Sequence, residues 1–124
     1  MENRLTPKQI KPHRETLMRL QGNLCPLCRT PFEEDDIIHL DHDHRSGHVR
    51  ASLHGACNLA LGKVERAARM TKNPQNFVKH VFDYIDHHQM HPSGLYHPSH
   101  LTKEEKAAKA KRRAVVRRKK VKSS

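Results

Sequence analysis

"HLDHDHRSGHVRASLHGACN", residues 39–58, holds five histidines, two aspartates, a cysteine and an asparagine in twenty positions. "IIHLDHDH" and "HVRASL" are short β-prone runs, and the "RSG" between them reads as a hairpin turn. From Gly55 onward, "GACNLALGKVERAARM" is rich in Ala, Leu, Lys and Glu, which favour helix. Strand, turn, strand and helix follow one another without a gap, and the titratable side chains are concentrated in them. Asp41, His42, Asp43 and His44 are expected on the first strand. Asp41 and Asp43 would share one face and His42 and His44 the other, unless the strand is bulged.

The flanks of the hairpin carry metal-binding spacing. Cys25 and Cys28 form C-x-x-C in the knuckle "NLCPLCRTPF", and His54 and Cys57 form H-x-x-C. Two pairs of this kind supply the four thiolate and imidazole donors of a tetrahedral zinc site. Four protein ligands leave no position for water, so the zinc would be structural. It would tie the knuckle before the hairpin to the helix after it. The plainer reading is a C-x-x-C redox pair with Cys57 buried as a small apolar residue.

Within the hairpin lie side-chain types that a hydrolytic site uses. A hard divalent cation takes oxygen donors, and Asp41 with the side-chain oxygen of Asn58 could supply two. Asn58 directly follows Cys57, so the zinc staple would fix its place at the start of the helix. His42, with an unperturbed pKa near 6.5, is suited to take a proton from water near neutral pH. Asp43 and His44 are auxiliary candidates. Against this stand a plain surface strand, an Asp–His ion pair, and Asn58 as a helix cap.

The rest of the chain sets the context. Its 124 residues are one domain with an appendage, only 35% apolar and 4% aromatic with no tryptophan, so a metal or a partner subunit is expected to supplement the core. The net charge of +11 favours a polyanion, nucleic acid ahead of membrane, since no apolar run approaches ~20 residues. The opening "MENRLTPKQIKPHRE" lacks an apolar signal region and the cysteine count is odd, both of which suit a cytoplasmic protein.

Four segments are expected. Residues 1–22 form a helical segment, begun by Thr6 as cap, Pro7 in the first turn and Gln9, and kinked or restarted at Pro12. Residues 23–72 hold the zinc-stapled core. Residues 73–101 hold an amphipathic helix, capped by Asn73 with Phe77, Val78, Val81, Phe82 and Ile85 on one face, and then a loop. Residues 102–124 form a basic tail, helical or disordered, opened by a Thr102–Glu105 capping box. Eleven Lys or Arg against two Glu place +9 of the net charge in residues 103–124. Arg112, Arg113, Arg117, Arg118, Lys119 and Lys120 are the candidate DNA-binding residues there.

"CPLC", then "LDHDHRSGHVR", then an L-x-x-x-C-N ending resemble the bacteriophage recombination endonuclease VII family, within the ββα-metal (His-Me finger, HNH-like) superfamily. The resemblance is close over residues 23–62 and extends to "NPQNFVKHVFDYIDHH". It implies an α+β fold, a zinc-stapled ββα-metal module flanked by helices, in a nuclease that hydrolyses DNA phosphodiesters, duplex or branched. His42 would be the general base, Asp41 and Asn58 the ligands of one Mg²⁺ or Mn²⁺, and the products a 5′-phosphate and a 3′-hydroxyl. Two features depart from the family pattern. His54 stands where a fourth cysteine is usual. Leu59, Ala60 and Leu61 offer no acidic group shortly after Asn58, and Glu65 lies two helical turns along, so cutting is implied more firmly than junction resolution.

Two functions therefore compete. One is a phage-encoded, metal-dependent DNA endonuclease, whether a resolvase, a nicking enzyme or a homing-type nuclease, working in the host cytoplasm. The other is a zinc-stapled DNA-binding regulatory module without catalysis. DNA is the partner in both, no membrane in either, and a second copy of the chain is a further candidate partner. The trio Asp41, His42 and Asn58 separates them, because a pure binder needs neither a base nor a hard-cation site.

Overall fold

A computed structural model describes residues 3–123. The order is α1 (Pro7–Leu20), β1 (Ile38–His42), β2 (Val49–His54), α2 (Gly55–Ala68), α3 (Pro74–Met90) and α4 (Lys103–Ser123). This is an α+β chain built on a hairpin followed directly by a helix. It divides into two compact units, Met1–Phe82 and Asp83–Ser124, with the boundary inside α3.

In the first unit β1 and β2 pair antiparallel, Ile38 opposite His54, Leu40 opposite Ser52 and His42 opposite Val49. Three residues of β1, 40–42, thus face four of β2, 49–52, and Asp41 faces both Arg50 and Ala51 across a bulge. The strand ends at His42, so Asp43 and His44 lie in the turn rather than on the strand where the sequence pattern puts them. The cause is local hydrogen bonding. The Asp43 carboxylate accepts the backbone N–H groups of Arg45 (2.7 Å) and Ser46 (3.1 Å), an Asx arrangement that competes with strand extension. Gly47 then closes the turn at φ 80°, a conformation that glycine adopts without steric cost.

α1 begins as its sequence suggests, with the Gln9 side chain accepting the Thr6 N–H at 2.8 Å. It runs through Pro12 as one helix. Pro12 cannot donate to the Lys8 carbonyl, but both residues are exposed, so water can take that carbonyl. The polar contacts of this segment with β2 centre on one residue. Ser52, fully buried, donates its hydroxyl to the Arg14 carbonyl at 2.7 Å. The Gln21 amide then grips the Ser52 backbone from both sides, accepting its N–H and donating to its carbonyl, each at 2.9 Å. Gln21 completes at this point the hydrogen bonding that a third strand would otherwise supply.

The apolar core is small. Cys25, Phe32 and Leu53 are buried, with Met18, Ile38, Ala51, Cys57 and Leu61 packed around them. Cys25 and Phe32 come from the knuckle, which folds back at Arg29 (φ 61°) and pairs Leu24 with Pro31. α2 starts close against the hairpin: a Cβ on Gly55 would lie 3.2 Å from Ile37 Cγ2 and 3.4 Å from the His39 ring.

α3 is capped by Asn73, whose side-chain oxygen accepts the Asn76 N–H at 3.0 Å. Phe77, Val78, Phe82 and Ile85 of its apolar stripe remain exposed. In the second unit α4 opens with the reciprocal Thr102 and Glu105 cap. Among the described residues no helix is long and apolar enough to cross a membrane.

Candidate functional site

Cys25 and Cys28 from the knuckle, His54 from the end of β2 and Cys57 from the first turn of α2 converge, their donor atoms all within 4.8 Å of one another. Among the described residues this is the one group of three or more such donors. The knuckle and the hairpin–helix junction thus meet at one point, as the paired spacing requires. The His54 ring is fixed from both nitrogens: Nδ1 lies 3.3 Å from Cys28 Sγ, and Nε2 lies 3.0 Å from Asp36 Oδ2. A carboxylate behind a histidine is the usual second layer of a zinc site, since it sets the tautomer and leaves the other nitrogen to the metal.

The electrostatics also fit a cation. Burial opposes ionisation of Cys25, but the backbone N–H groups of Cys28, His54 and Leu27, with the His54 ring, draw its thiol down to about 6. Thr30 holds Cys28 below the ordinary thiol range through its hydroxyl and backbone N–H. Burial first, then the Cys28 and Cys25 sulfurs alongside, push Cys57 up to about 11. The Cys25 sulfur lifts His54 to about 9 against burial, helped by Cys28 and Asp36. Three thiols this close cannot all ionise without a positive charge among them. The cluster has the donor set of a structural zinc site with every position taken by protein.

A second site lies at the mouth of the hairpin, an open cleft of about 320 Å³ lined by Asp41, His42, His39 and His44 together with Asn58 and Arg14. His42 and His44 are exposed with ring centroids 4.8 Å apart, so their rings do share a side. Asn58, on α2, donates its side-chain N–H to His39 Nδ1 at 3.2 Å, which leaves its carbonyl oxygen to the cleft. Asp43 is not part of this wall. The backbone N–H groups of Ser46 and Arg45 hold its carboxyl below the usual range and tie it to the turn.

Asp41 is buried, and its charge is answered by Arg50. The guanidinium donates from Nε to Oδ2 at 2.7 Å and from Nη2 to Oδ1 at 3.2 Å. It also reaches Glu65 on α2 at 2.9 and 3.3 Å. The β2 bulge brings Arg50 opposite Asp41, and Glu65 anchors its far side. Glu65 and Asp41 together hold Arg50 still more firmly protonated than an ordinary arginine.

In α4, Arg112, Arg113, Arg117 and Lys120 share one face with Lys109, spaced by three and four residues. Arg118 and Lys119 lie outside it. Sequence reasoning does not single out four residues that line or brace these two places: Asp36, Arg50, Arg14 and Gln21. Asp36 is one of four acids in "EEDD", and nothing local marks it. Arg14 and Gln21 act across 38 and 31 residues through helix docking that no periodicity reports.

The sequence profile of the recombination endonuclease VII family matches residues 2–87, which include the knuckle, the hairpin, α2 and most of α3. A comparison with curated proteins returned no match. The match spans more than half of the chain and contains both the four-donor cluster and the cleft. The chain belongs to the recombination endonuclease VII family, a family of DNA endonucleases.

Proposed function

We propose that the cleft hydrolyses DNA phosphodiesters, with His42 as general base and one Mg²⁺ or Mn²⁺ held by Asp41 and Asn58. The observation that carries this reading is the convergence of those three side chains, from β1 and the first turn of α2, on one open cleft. The donor chemistry fits a hard cation. Asn58 keeps its side-chain oxygen free of the His39 contact, and each Asp41 oxygen accepts one N–H from Arg50 while retaining another lone pair. When bound, the cation supplies Lewis-acid stabilisation of the charge that develops on the phosphate and the leaving oxygen.

The chain's own residues do the rest. His42 takes a proton from water, and the water oxygen bonds to phosphorus while the P–O3′ bond breaks. The electron pair leaves with the 3′ oxygen, which takes up a proton from solvent, giving a 5′-phosphate and a 3′-hydroxyl. Arg50 orients the Asp41 carboxylate, and the His44 ring limits how the His42 ring can turn. Cys25, Cys28, His54 and Cys57 hold a structural zinc, whose binding contributes on the order of 10 kcal/mol to folding in comparable sites. The basic face of α4 binds the phosphate backbone without reading bases.

Zinc-loaded full chain and supercoiled plasmid, with and without Mg²⁺, test the reading. Nicking is expected only with Mg²⁺. His42→Ala is expected to lose about a hundredfold or more of the rate, on the scale of a general base, with duplex binding retained. Wild-type protein that binds duplex but does not cut in Mg²⁺ would return the chain to the non-catalytic binding module.

A further inference from the structure

Two arginines border the proposed site, and only one has its charge engaged. Arg50 is held between Asp41 and Glu65. Arg14, half-buried on α1, lines the cleft with Asp41, His42 and Asn58. Among the described residues its guanidinium meets no carboxylate and makes no hydrogen bond. A guanidinium without a protein partner is matched to an anion, most closely to one with two adjacent oxygens.

The backbone beneath that side chain is fixed. The Arg14 carbonyl accepts the Ser52 hydroxyl, and two turns later Gln21 clamps the backbone of the same serine. α1 is therefore tied at two points to one buried residue of β2, and Arg14 is the charged side chain which that docking delivers to the cleft. The Arg50 charge is spent within the protein, on Asp41 and Glu65, so Arg14 is the cationic side chain of the cleft lining still open to a phosphodiester.

We infer that Arg14 binds the scissile phosphodiester, its guanidinium donating to a non-bridging oxygen beside His42. The inference rests on the cleft being the hydrolytic site. Those oxygens gain negative charge as the fifth bond to phosphorus forms, so the contact strengthens in the transition state. Arg14 thereby acts on the rate, whereas the α4 arginines act on affinity.

Two measurements on the zinc-loaded full chain test this. In the first, a thymidine dinucleotide with one phosphodiester is titrated without Mg²⁺ while the arginine Nε–H signals are followed by NMR. A saturable shift of the Arg14 signal is expected; movement of α4 arginines with Arg14 stationary overturns the inference. In the second, Arg14→Ala is compared with wild type in single turnover at saturating duplex. The rate is expected to fall by about a hundredfold, on the scale of one lost transition-state donor, while duplex affinity stays within about threefold. Arg14→Lys, which keeps the charge and leaves the backbone clamp untouched, is expected to recover about tenfold of that loss. An Arg14→Ala variant that cuts at the wild-type rate, or loses affinity alone, overturns the inference. Wild-type protein that shows the Arg14 shift yet never cuts sinks the base and metal assignment and leaves Arg14 as a phosphate ligand.

Discussion

Asp36 and His54 meet behind the cysteine cluster: Asp36 Oδ2 lies 3.0 Å from His54 Nε2, while the opposite ring nitrogen faces Cys28 Sγ at 3.3 Å. Asp36 also accepts the Glu33 backbone N–H at 2.8 Å, which, ahead of His54, holds its carboxyl below the usual range. An ionised carboxylate is thus locked against the one imidazole among the four donors. Asp36→Ala is expected to weaken zinc affinity by about 10- to 100-fold, measured by competition with a chromogenic chelator, because the ring loses its orientation and basicity. Unchanged affinity would show that His54 is held by packing against Phe32 instead, whose ring centroid lies 4.8 Å away.

Removing the metal is expected to dissolve the first unit, since the buried apolar cluster centres on Cys25, Phe32 and Leu53. Chelator treatment should abolish cooperative thermal unfolding, and added zinc should restore it. Zinc uptake should release protons. Burial and the neighbouring sulfurs push the Cys57 thiol up to about 11, and the Cys25 sulfur lifts His54 to about 9, so both hold a proton near neutral pH that the metal must displace. Affinity is therefore expected to fall as pH is lowered. Affinity that is flat between about pH 6 and 8 would contradict that donor set.

Gln21→Ala removes both partners of the Ser52 backbone at a place where α1 covers it. A buried N–H and a buried carbonyl would then lack partners, at a cost of about 2 kcal/mol or more. Urea unfolding of the zinc-loaded protein measures it. Gln21→Glu keeps the acceptor for the Ser52 N–H but sets a carboxylate oxygen against the Ser52 and Leu24 carbonyls, so a loss at least as large is expected near neutral pH. Equal stability of all three proteins would mean that water replaces the amide.

Deleting residues 103–124 takes away +9 of charge together with the face that Lys109, Arg112, Arg113, Arg117 and Lys120 share. Every phosphate that the protein ceases to neutralise flattens the log–log salt dependence of duplex binding by about 0.9. A drop of several units in slope is expected, with the rate at saturating DNA little changed. An unaltered slope would show that α4 does not touch DNA.

The sequence is most legible where chemistry and local geometry coincide. The two paired spacings name the four metal donors, and Asn73, Pro74 and Thr102 mark helix starts at the right residues. His54 in place of a cysteine leaves the cluster intact because imidazole and thiolate both donate to zinc. Period-two alternation fails at Asp43 because a short polar side chain can satisfy the following backbone N–H groups and stop the strand. Pro12 reads as a break because a missing hydrogen bond is visible in sequence, whereas its exposure to water is not. Arg14, Gln21 and Arg50 escape notice because their roles depend on which helix face docks and on a one-residue bulge, both set by tertiary packing.

That bulge divides β2 into one residue whose identity is fixed and one that is spare. Ala51 and Arg50 both stand opposite Asp41, so another small residue at position 51 leaves the pairing of Arg50 with Asp41 in place. Deleting Ala51 would leave a regular ladder with Arg50 alone opposite Asp41, whereas deleting Arg50 would take the guanidinium from the Asp41 carboxylate and leave Glu65 facing an empty position. A deletion elsewhere in 49–54 has no such slack and would turn the following side chains to the opposite face of the hairpin. The exposed turn at 44–46 is where this hairpin can absorb a change in length.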